Sequence, residues 1–159
     1  MKIQWLIVAL IAYITVLAQT GPLAAWPLMG GQPNLIALGA LPFLVLGYAE
    51  LGLGWILIGS ALIDLILPLR FGSTFLPLLL VYSSLGIFLK REIQTPPWWG
   101  VILMALVLVA TAELVLAWRQ NAWEQFWLDL RAAGILSFLG AWPLLRFQSK
   151  HQHKLIFRP

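Results

Sequence analysis

Two acidic side chains stand inside long apolar stretches of the sequence, where a carboxylate is costly. Asp64 lies in GWILIGSALIDLILPLR and Glu113 lies in VATAELVLAW. Each is followed six residues later by an arginine, Arg70 and Arg119 respectively. An acid in such a stretch should avoid lipid, face the interior of a helix bundle and either pair with a base or be protonated. These four residues are the first candidates for an ion pair, an ion or proton path, or a ligand contact.

Apolar segments of helical length must position these residues. The chain has 159 residues, of which 61% are hydrophobic and 10% charged, so lipid is the expected solvent for most of it. A membrane span needs about 20 apolar residues, and six segments qualify: 3–20, 34–49, 51–69, 71–89, 98–118 and 124–145. The predicted fold is all-α, a polytopic integral membrane protein with six transmembrane helices in one domain over residues 1–159, with a basic tail at 146–159.

Two features qualify this division into spans. The second segment is short and contains Pro42, which predicts a kink or a tilt. The sequence GYAELGLG (47–54) holds three glycines and Glu50, and is expected to form a tight turn between the second and third spans.

Positive charge is distributed unequally between the two sides of this topology. With the N-terminus in the cytoplasm, seven of the ten basic residues fall inside and three, Arg70, Arg119 and Arg131, fall outside. This asymmetry follows the positive-inside rule and predicts that both termini are cytoplasmic. Tryptophans near both boundaries are expected to anchor the chain at the membrane interfaces, while Trp55 and Trp142 lie deeper and are expected to pack between helices.

The third and fifth spans bring the two acids to similar depths. Asp64 comes about 13 residues, roughly 20 Å, after the start of its span, and Glu113 comes about 15 residues, roughly 22 Å, after the start of its own. We therefore expect one polar cluster in the outer half of the membrane, between these helices. Gly59 and Ser60, one turn before Asp64, should allow a neighbouring helix to approach closely. Structural or partner-binding roles are favoured over a proton relay, because no histidine or lysine accompanies the acids.

The segment WRQNAWEQFWLDLR (118–131) is aromatic and amphipathic. Trp123, Phe126, Trp127 and Leu130 share one helical face. The segment either lies flat on the outer leaflet or leads directly into the sixth span, and it serves as an anchor or as a docking surface for a partner.

Signatures of catalysis and of cofactor binding are missing from the sequence. There is no cysteine, and the only histidines, His151 and His153, lie in the basic tail. The chain contains no P-loop and no GxSxG motif. The basic residues form no stripe for nucleic acid. We therefore expect a protein that is not an enzyme and has no metal or cofactor.

Several motifs in order resemble the rod shape-determining protein MreD family. They cover most of the chain from Pro33 onward: PNLIAL (33–38), GLGWILIGSALIDL (52–65), FGST (71–74), VATAELVLAW (109–118) and FWLDLRAAGILSFLGAWPLLRF (126–147). Glu113 stands where an aspartate is more usual in the family, and Pro68 interrupts the stretch after Asp64.

The resemblance implies a scaffold and regulator in the bacterial inner membrane that supports cell shape and lateral peptidoglycan synthesis. Its partners would be MreC and, through it, MreB, a SEDS glycosyltransferase and a class B transpeptidase. Asp64 and Glu113 would shape the bundle or a partner-facing pocket. Pro33 with Asn34, and Trp142 with Pro143, would set helix ends and a kink.

Two other functions stay open at the level of the sequence. The MreD fold resembles that of the S-components of energy-coupling-factor vitamin transporters, which also have six helices. Those subunits typically carry an Ala-x-x-x-Ala motif on the first span, whereas here Ala9 is followed by Tyr13 and Ala12 by Val16. The third possibility is a membrane scaffold of another pathway.

Overall fold

The computed structural model describes residues 2–25, 27–28, 30–66, 72, 74–92 and 96–156. This part of the chain is helical apart from turns, short connections and one isolated bridge between Leu28 and Gly31. The prediction of an all-α fold is confirmed. The helices are α1 (Lys2–Thr20), α2 (Pro22–Ala25), α3 (Leu35–Val45), α4 (Ala49–Ile66), α5 (Phe75–Glu92), α6 (Trp98–Gln120) and α7 (Trp123–Ile156).

Four helical segments are long and apolar enough to cross a membrane. They are Ile3–Ala25, Ala49–Ile66, Trp98–Gln120 and Trp123–Arg146. The apolar helices Leu35–Val45 and Phe75–Leu89 are shorter. Large apolar side chains are exposed along the spans, such as Leu6 on α1 and Leu139 on α7. Lipid is the solvent that accommodates such surfaces, so the chain is a membrane protein.

Consecutive long helices run in alternating directions between two ends of the bundle. At one end, Trp5 near the start of α1 lies where a side chain on Gly54 would project, near the start of α4. Leu144, far along α7, lines a groove together with Leu46 after α3. We call this the basic end, because α1 begins there and α5 and α7 end there, and these helix ends carry six of the ten basic residues of the sequence: Lys2, Lys90, Arg91, Arg146, Lys150 and Lys154.

The opposite end, which we call the capped end, is where α1, α4 and α6 finish and α3, α5 and α7 begin. A side-chain contact ties the first of these connections, because Leu35 at the start of α3 donates its backbone N–H to Gln19 of α1. Between α6 and α7 the chain turns at Asn121, which has a positive φ of 53° and ends α6.

Helix α3 is the centre of the bundle although it is only 11 residues long. It packs against α1, α4, α5, α6 and α7. Six of its residues are buried: Ile36, Ala37, Ala40, Leu41, Leu44 and Val45. This enclosure explains how a short helix containing Pro42 is tolerated, because irregular backbone at membrane depth is stable where protein surrounds it. The remainder of the predicted second span, 34–49, is the helix cap at Asn34, the turn after Val45 and the first residue of α4.

The interface between α3 and α4 depends on two glycines and one tryptophan. A Cβ atom on Gly39 would lie 2.5 Å from the Trp55 ring, and one on Gly59 would lie 2.6 Å from Ile36 Cδ1. Trp55 is buried and donates its indole N–H to the Ile36 carbonyl at 2.8 Å. The expected close packing at Gly59 and the expected burial of Trp55 are both confirmed.

The expected turn over residues 47–54 is wrong in its length. The turn ends at Tyr48, and α4 begins at Ala49. Gly47, with φ +81°, is the glycine that the turn requires. Gly52 and Gly54 are buried inside α4, where they make room for neighbouring aromatic rings; at Gly52 the neighbour is the Tyr82 hydroxyl. Small residues that looked like a flexible connection are therefore packing positions within a helix.

Helix α7 is continuous from Trp123 to Ile156. The segment 118–131 therefore leads directly into the last span, and the helix extends through most of the predicted basic tail. Pro143 lies inside the helix, where it removes one backbone hydrogen bond without ending it. Trp142 is 69% exposed, so the expectation that it packs between helices is wrong.

Candidate functional site

Asp64 holds the start of the following helix. The carboxyl group is buried, with the residue 3% exposed. Oδ1 accepts the backbone N–H of Thr74 at 3.3 Å, and Oδ2 accepts that of Phe75 at 3.1 Å. The Thr74 carbonyl in turn accepts from Leu78 N–H, which begins the hydrogen-bond pattern of α5. Asp64 thus caps α5 from the end of α4.

The physical reason for an acid at this position follows from the helix terminus. The first N–H groups of a helix have no partner within the helix, and at membrane depth no bulk water replaces it. A carboxylate satisfies two of them at once, and its negative charge is favourable at the positive end of the helix dipole. Hydrogen bonds to charged groups contribute about 1.5–3 kcal/mol each. These hydrogen bonds therefore offset the free-energy cost of burying the Asp64 carboxylate at membrane depth.

Asn34 and Gln19 supply the acceptors for the first N–H groups of α3. Asn34 is fully buried, and its Oδ1 accepts the N–H groups of Ile36 at 3.0 Å and Ala37 at 3.1 Å. Gln19 Oε1 accepts the N–H of Leu35 at 2.9 Å. The first three N–H groups of α3 are all satisfied by side chains. Pro33, which is buried, comes directly before this cap, so Pro33 and Asn34 lie at a helix end, which is the role that the resemblance implied for them.

Asp129 is a third buried acid, which sequence reasoning missed. It lies on α7 and is 5% exposed. Its Oδ1 accepts the backbone N–H of Gln32 and the side-chain amide of Gln125, the latter at 2.8 Å. Gly31 lies against α7 so closely that a Cβ atom there would overlap the backbone of Leu128. The connection before α3 is therefore fastened to the start of α7.

The spacing of small and polar residues on α7 could have revealed Asp129. The buried positions of α7 recur every three or four residues and include Phe126, Asp129, Ala133, Ser137 and Ala141. Emphasis on the tryptophans directed attention to a different face, where Trp127 is 63% exposed. Lipid-facing helices carry large apolar side chains outward, so the smaller residues mark the packed side.

Glu113 belongs with Asp129 rather than with Asp64. It is 6% exposed on α6 and lines a cavity of about 50 Å³ together with Asp129, Gln120 and Gln125. Helices α4 and α6 have no extensive contact among the described residues, and α3 packs against both. The expected single cluster of Asp64 and Glu113 is thus divided into a cap on α5 and a polar cavity between α6 and α7.

The remaining predicted site residues have simpler roles. Arg119 is exposed in the last turn of α6, where a cation is favourable at the negative end of the helix dipole. Ser60 is buried and donates its hydroxyl to the Ile56 carbonyl within α4, so it makes no bond to another helix there. Arg70 and Pro68 lie outside the described residues.

The chemistry of the capped end is that of fixed acceptors. Side-chain oxygens from α1, α4 and α7 accept hydrogen bonds from backbone N–H groups. These N–H groups lie at the start of α3, at the start of α5 and in the connection before α3.

Comparison with protein-family models, curated proteins and solved structures finds no match for the chain.

Replacing Asp64 tests its role as a cap. Asp64→Ala leaves two buried N–H groups without an acceptor, so we expect the free energy of unfolding to fall by about 2–4 kcal/mol. Asp64→Asn keeps one acceptor oxygen and should lose about half as much. The measurement is unfolding in mixed detergent micelles, followed by tryptophan fluorescence. Glu50→Gln, an exposed acid on the same helix, is the control. Equal stability of Asp64→Ala and the control would contradict the cap.

Replacing Asp129 should release the connection before α3 without unfolding the bundle. In Asp129→Ala the Gln32 amide loses its acceptor, so its hydrogen exchange should accelerate by about tenfold or more, while α4 stays protected. Exchange measured by mass spectrometry on peptides covering residues 27–34 tests this. Glu124→Ala, an exposed acid in the first turn of α7, should leave this exchange unchanged. Unaltered exchange in Asp129→Ala would show that Gly31 packing alone holds the connection.

Proposed function

We propose that the chain is an MreD-like scaffold and regulator of the cell-elongation complex in the bacterial inner membrane. The observation that carries this proposal is the use of Asp64 and Asp129 as acceptors for backbone N–H groups. Carboxylates engaged in this way strengthen a fixed bundle and present a rigid end to a partner. The role is non-enzymatic and needs no cofactor.

An aromatic surface at the capped end is the candidate docking site. We define it by Trp118, Trp123 and Trp127, whose rings pack with the buried ring of Phe126. Successive rings meet edge to face, with centroids 6.3, 6.0 and 5.3 Å apart. Trp118 and Trp127 are 77% and 63% exposed. Tryptophans held rigidly in this way contribute strongly to protein interfaces, because little conformational entropy is lost when they are covered.

MreC is the partner proposed for this surface, on the strength of the sequence resemblance. Through MreC the chain would join MreB, a SEDS glycosyltransferase and a class B transpeptidase. Exposed charges of both signs, Arg119, Glu124 and Arg131, occur on and near the aromatic surface. They would set the orientation of a polar partner segment, because charges at the rim of an interface favour one register over others.

The same proposal includes six spans with both termini in the cytoplasm. The alternating directions of the helices and the concentration of basic residues at one end support it. Helix α5 has 18 residues, as many as α4, whereas α3 would cross with the help of the chain and the turn beside it. For α3, protein on all sides would replace the lipid that its 11 residues are too short to span.

The S-component alternative is less well supported by the geometry. A vitamin-sized ligand needs a cavity of about 300–1,000 Å³ with a few polar contacts. The polar cavity between Glu113 and Asp129 measures about 50 Å³, which accommodates a water molecule rather than a vitamin. A groove between α3, α6 and α7 is large enough, at about 410 Å³, but Ser137 is the one polar residue of its described lining. A scaffold of another pathway would use the same rigid end with a different partner.

Cysteine labelling distinguishes six spans from four. The chain has no cysteine, so single substitutions can be labelled cleanly. Tyr48→Cys lies in the exposed turn after α3, and Gln120→Cys lies at the exposed end of α6. With six spans, a membrane-impermeant maleimide added to spheroplasts should label Gln120→Cys at once and Tyr48→Cys only after lysis. If α3 does not cross, Tyr48→Cys should be labelled from outside as well.

Capture of MreC tests the docking surface. We expect the double substitution Trp123→Ala with Trp127→Ala to reduce co-purified MreC by about tenfold or more, since buried tryptophans at interfaces are frequent hot spots. The measurement is affinity purification from co-expressing bacterial membranes, quantified by mass spectrometry. The matched control is Trp98→Ala with Trp99→Ala, which removes two exposed tryptophans from the basic end.

Three results would contradict this proposal. Wild-type protein that captures no MreC would remove the partner. Equal loss in both double variants would indicate membrane anchoring rather than docking. Co-purification of ATPase subunits with a stoichiometric vitamin would favour the transporter alternative.

A further inference from the structure

An apolar groove lies between α3, α6 and α7 near the basic end of the bundle. Its volume is about 410 Å³, eight times that of the cavity beside Glu113. The lining includes Leu38, Leu46, Val101, Leu136, Gly140 and Leu144. Ser137 is its polar residue, and the Ser137 hydroxyl is already donated to the Ala133 carbonyl of the same helix. The groove is therefore lined almost entirely by hydrocarbon.

The groove has the depth of half a membrane. Val101 is one turn from the start of α6, and Leu46 directly follows the end of α3, so the lower part of the groove is at the basic end. From Leu144 to Leu136 the groove rises along α7 by roughly 12 Å at 1.5 Å per residue. One leaflet contributes about 15 Å of hydrocarbon. The groove thus matches the inner leaflet in length.

Positive charge follows immediately beyond this groove. Helix α7 continues past Leu144 through Arg146, Lys150 and Lys154. The sequence after Leu144 contains no acid. Arg146 is exposed, and its guanidinium carbon lies 5.2 Å from the centre of the Trp142 ring. Along α7, the apolar groove is therefore followed by a cationic segment.

We propose that the groove binds one acyl chain of an anionic phospholipid, whose phosphate is attracted to the basic segment of α7. Basic residues beside a cleft between transmembrane helices on the cytoplasmic side are suited to such head groups. The apolar lining and the cationic segment that follows it on α7 together match an acyl chain joined to an anionic head group. An acyl chain is slender enough to enter between α3 and α7. This inference depends on the orientation of the bundle and not on the proposed scaffold function.

Lipid retention measures this binding directly. The full chain is reconstituted in vesicles of equal phosphatidylglycerol and phosphatidylcholine, extracted briefly in mild detergent and examined by native mass spectrometry. We expect one retained phosphatidylglycerol per chain, with about tenfold preference over phosphatidylcholine. Equal retention of the two lipids, or no retained lipid, would overturn the proposal. A polypeptide that is retained by the chain in place of the lipid would also overturn the proposal.

Filling the groove provides the first variant. A Cβ atom on Gly140 meets nothing within 4 Å, so Gly140→Leu projects into the groove without a clash. We expect about tenfold less retained phosphatidylglycerol, because several methylene groups of the chain lose their contacts. Leu139→Phe is the control, since Leu139 is an adjacent position that is 66% exposed and outside the groove lining. Unchanged retention in Gly140→Leu, with the control normal, would overturn the proposal.

Removing the charges provides the second variant and separates the head group from the chain. The triple substitution Arg146→Gln, Lys150→Gln and Lys154→Gln should abolish the preference for phosphatidylglycerol while one lipid of either kind is still retained. The control is Arg119→Gln with Arg131→Gln, which removes exposed charges from the α6 end and the outer part of α7. A preference that survives the triple substitution would contradict the role of the basic segment.

Discussion

The need to satisfy backbone N–H groups inside a membrane governs this structure. Each connection at the capped end starts a new helix whose first donors have no partner of their own. Side chains from elsewhere in the chain supply acceptors: Gln19 and Asn34 for α3, and Asp64 for α5. Because Gln19 and Asp64 belong to the preceding long helices, each cap also fixes the position of one helix against the next. Hydrogen bonding and tertiary packing are therefore coupled at this end.

A short central helix is possible because of that coupling. Helix α3 has 11 residues, too few to cross a bilayer unaided, and it contains Pro42. Its first turn is held by Gln19 and Asn34, and its sides are covered by five other helices. The extended chain before it would be costly in lipid, but Gln32 donates its N–H to Asp129. Asp129 thus allows the chain to enter the bundle without forming a full-length helix.

The sequence revealed the helical class, the approximate segments and the importance of Asp64, because apolar length and an isolated acid are local signals. It did not reveal which backbone groups Asp64 would meet, since Thr74 and Phe75 are ten and eleven residues away and have no distinctive side-chain pattern. Equal depth suggested that Asp64 and Glu113 were neighbours. Depth constrains one coordinate only, and the order of helices around the bundle, with α3 between them, decides the other two. Asp129 escaped notice because aromatic residues dominated its segment.

The two ends of the bundle differ in how they are completed. At the capped end, side-chain oxygens hold backbone N–H groups, two buried atoms, Asn34 Nδ2 and Thr74 Oγ1, have no hydrogen-bond partner, and a cavity of about 50 Å³ remains. At the basic end, a groove of about 410 Å³ remains between α3, α6 and α7, and the smaller residues Ser137 and Gly140 are part of its lining. Dry space of that size forfeits many dispersion contacts, so an apolar occupant should stabilise the helices that line it.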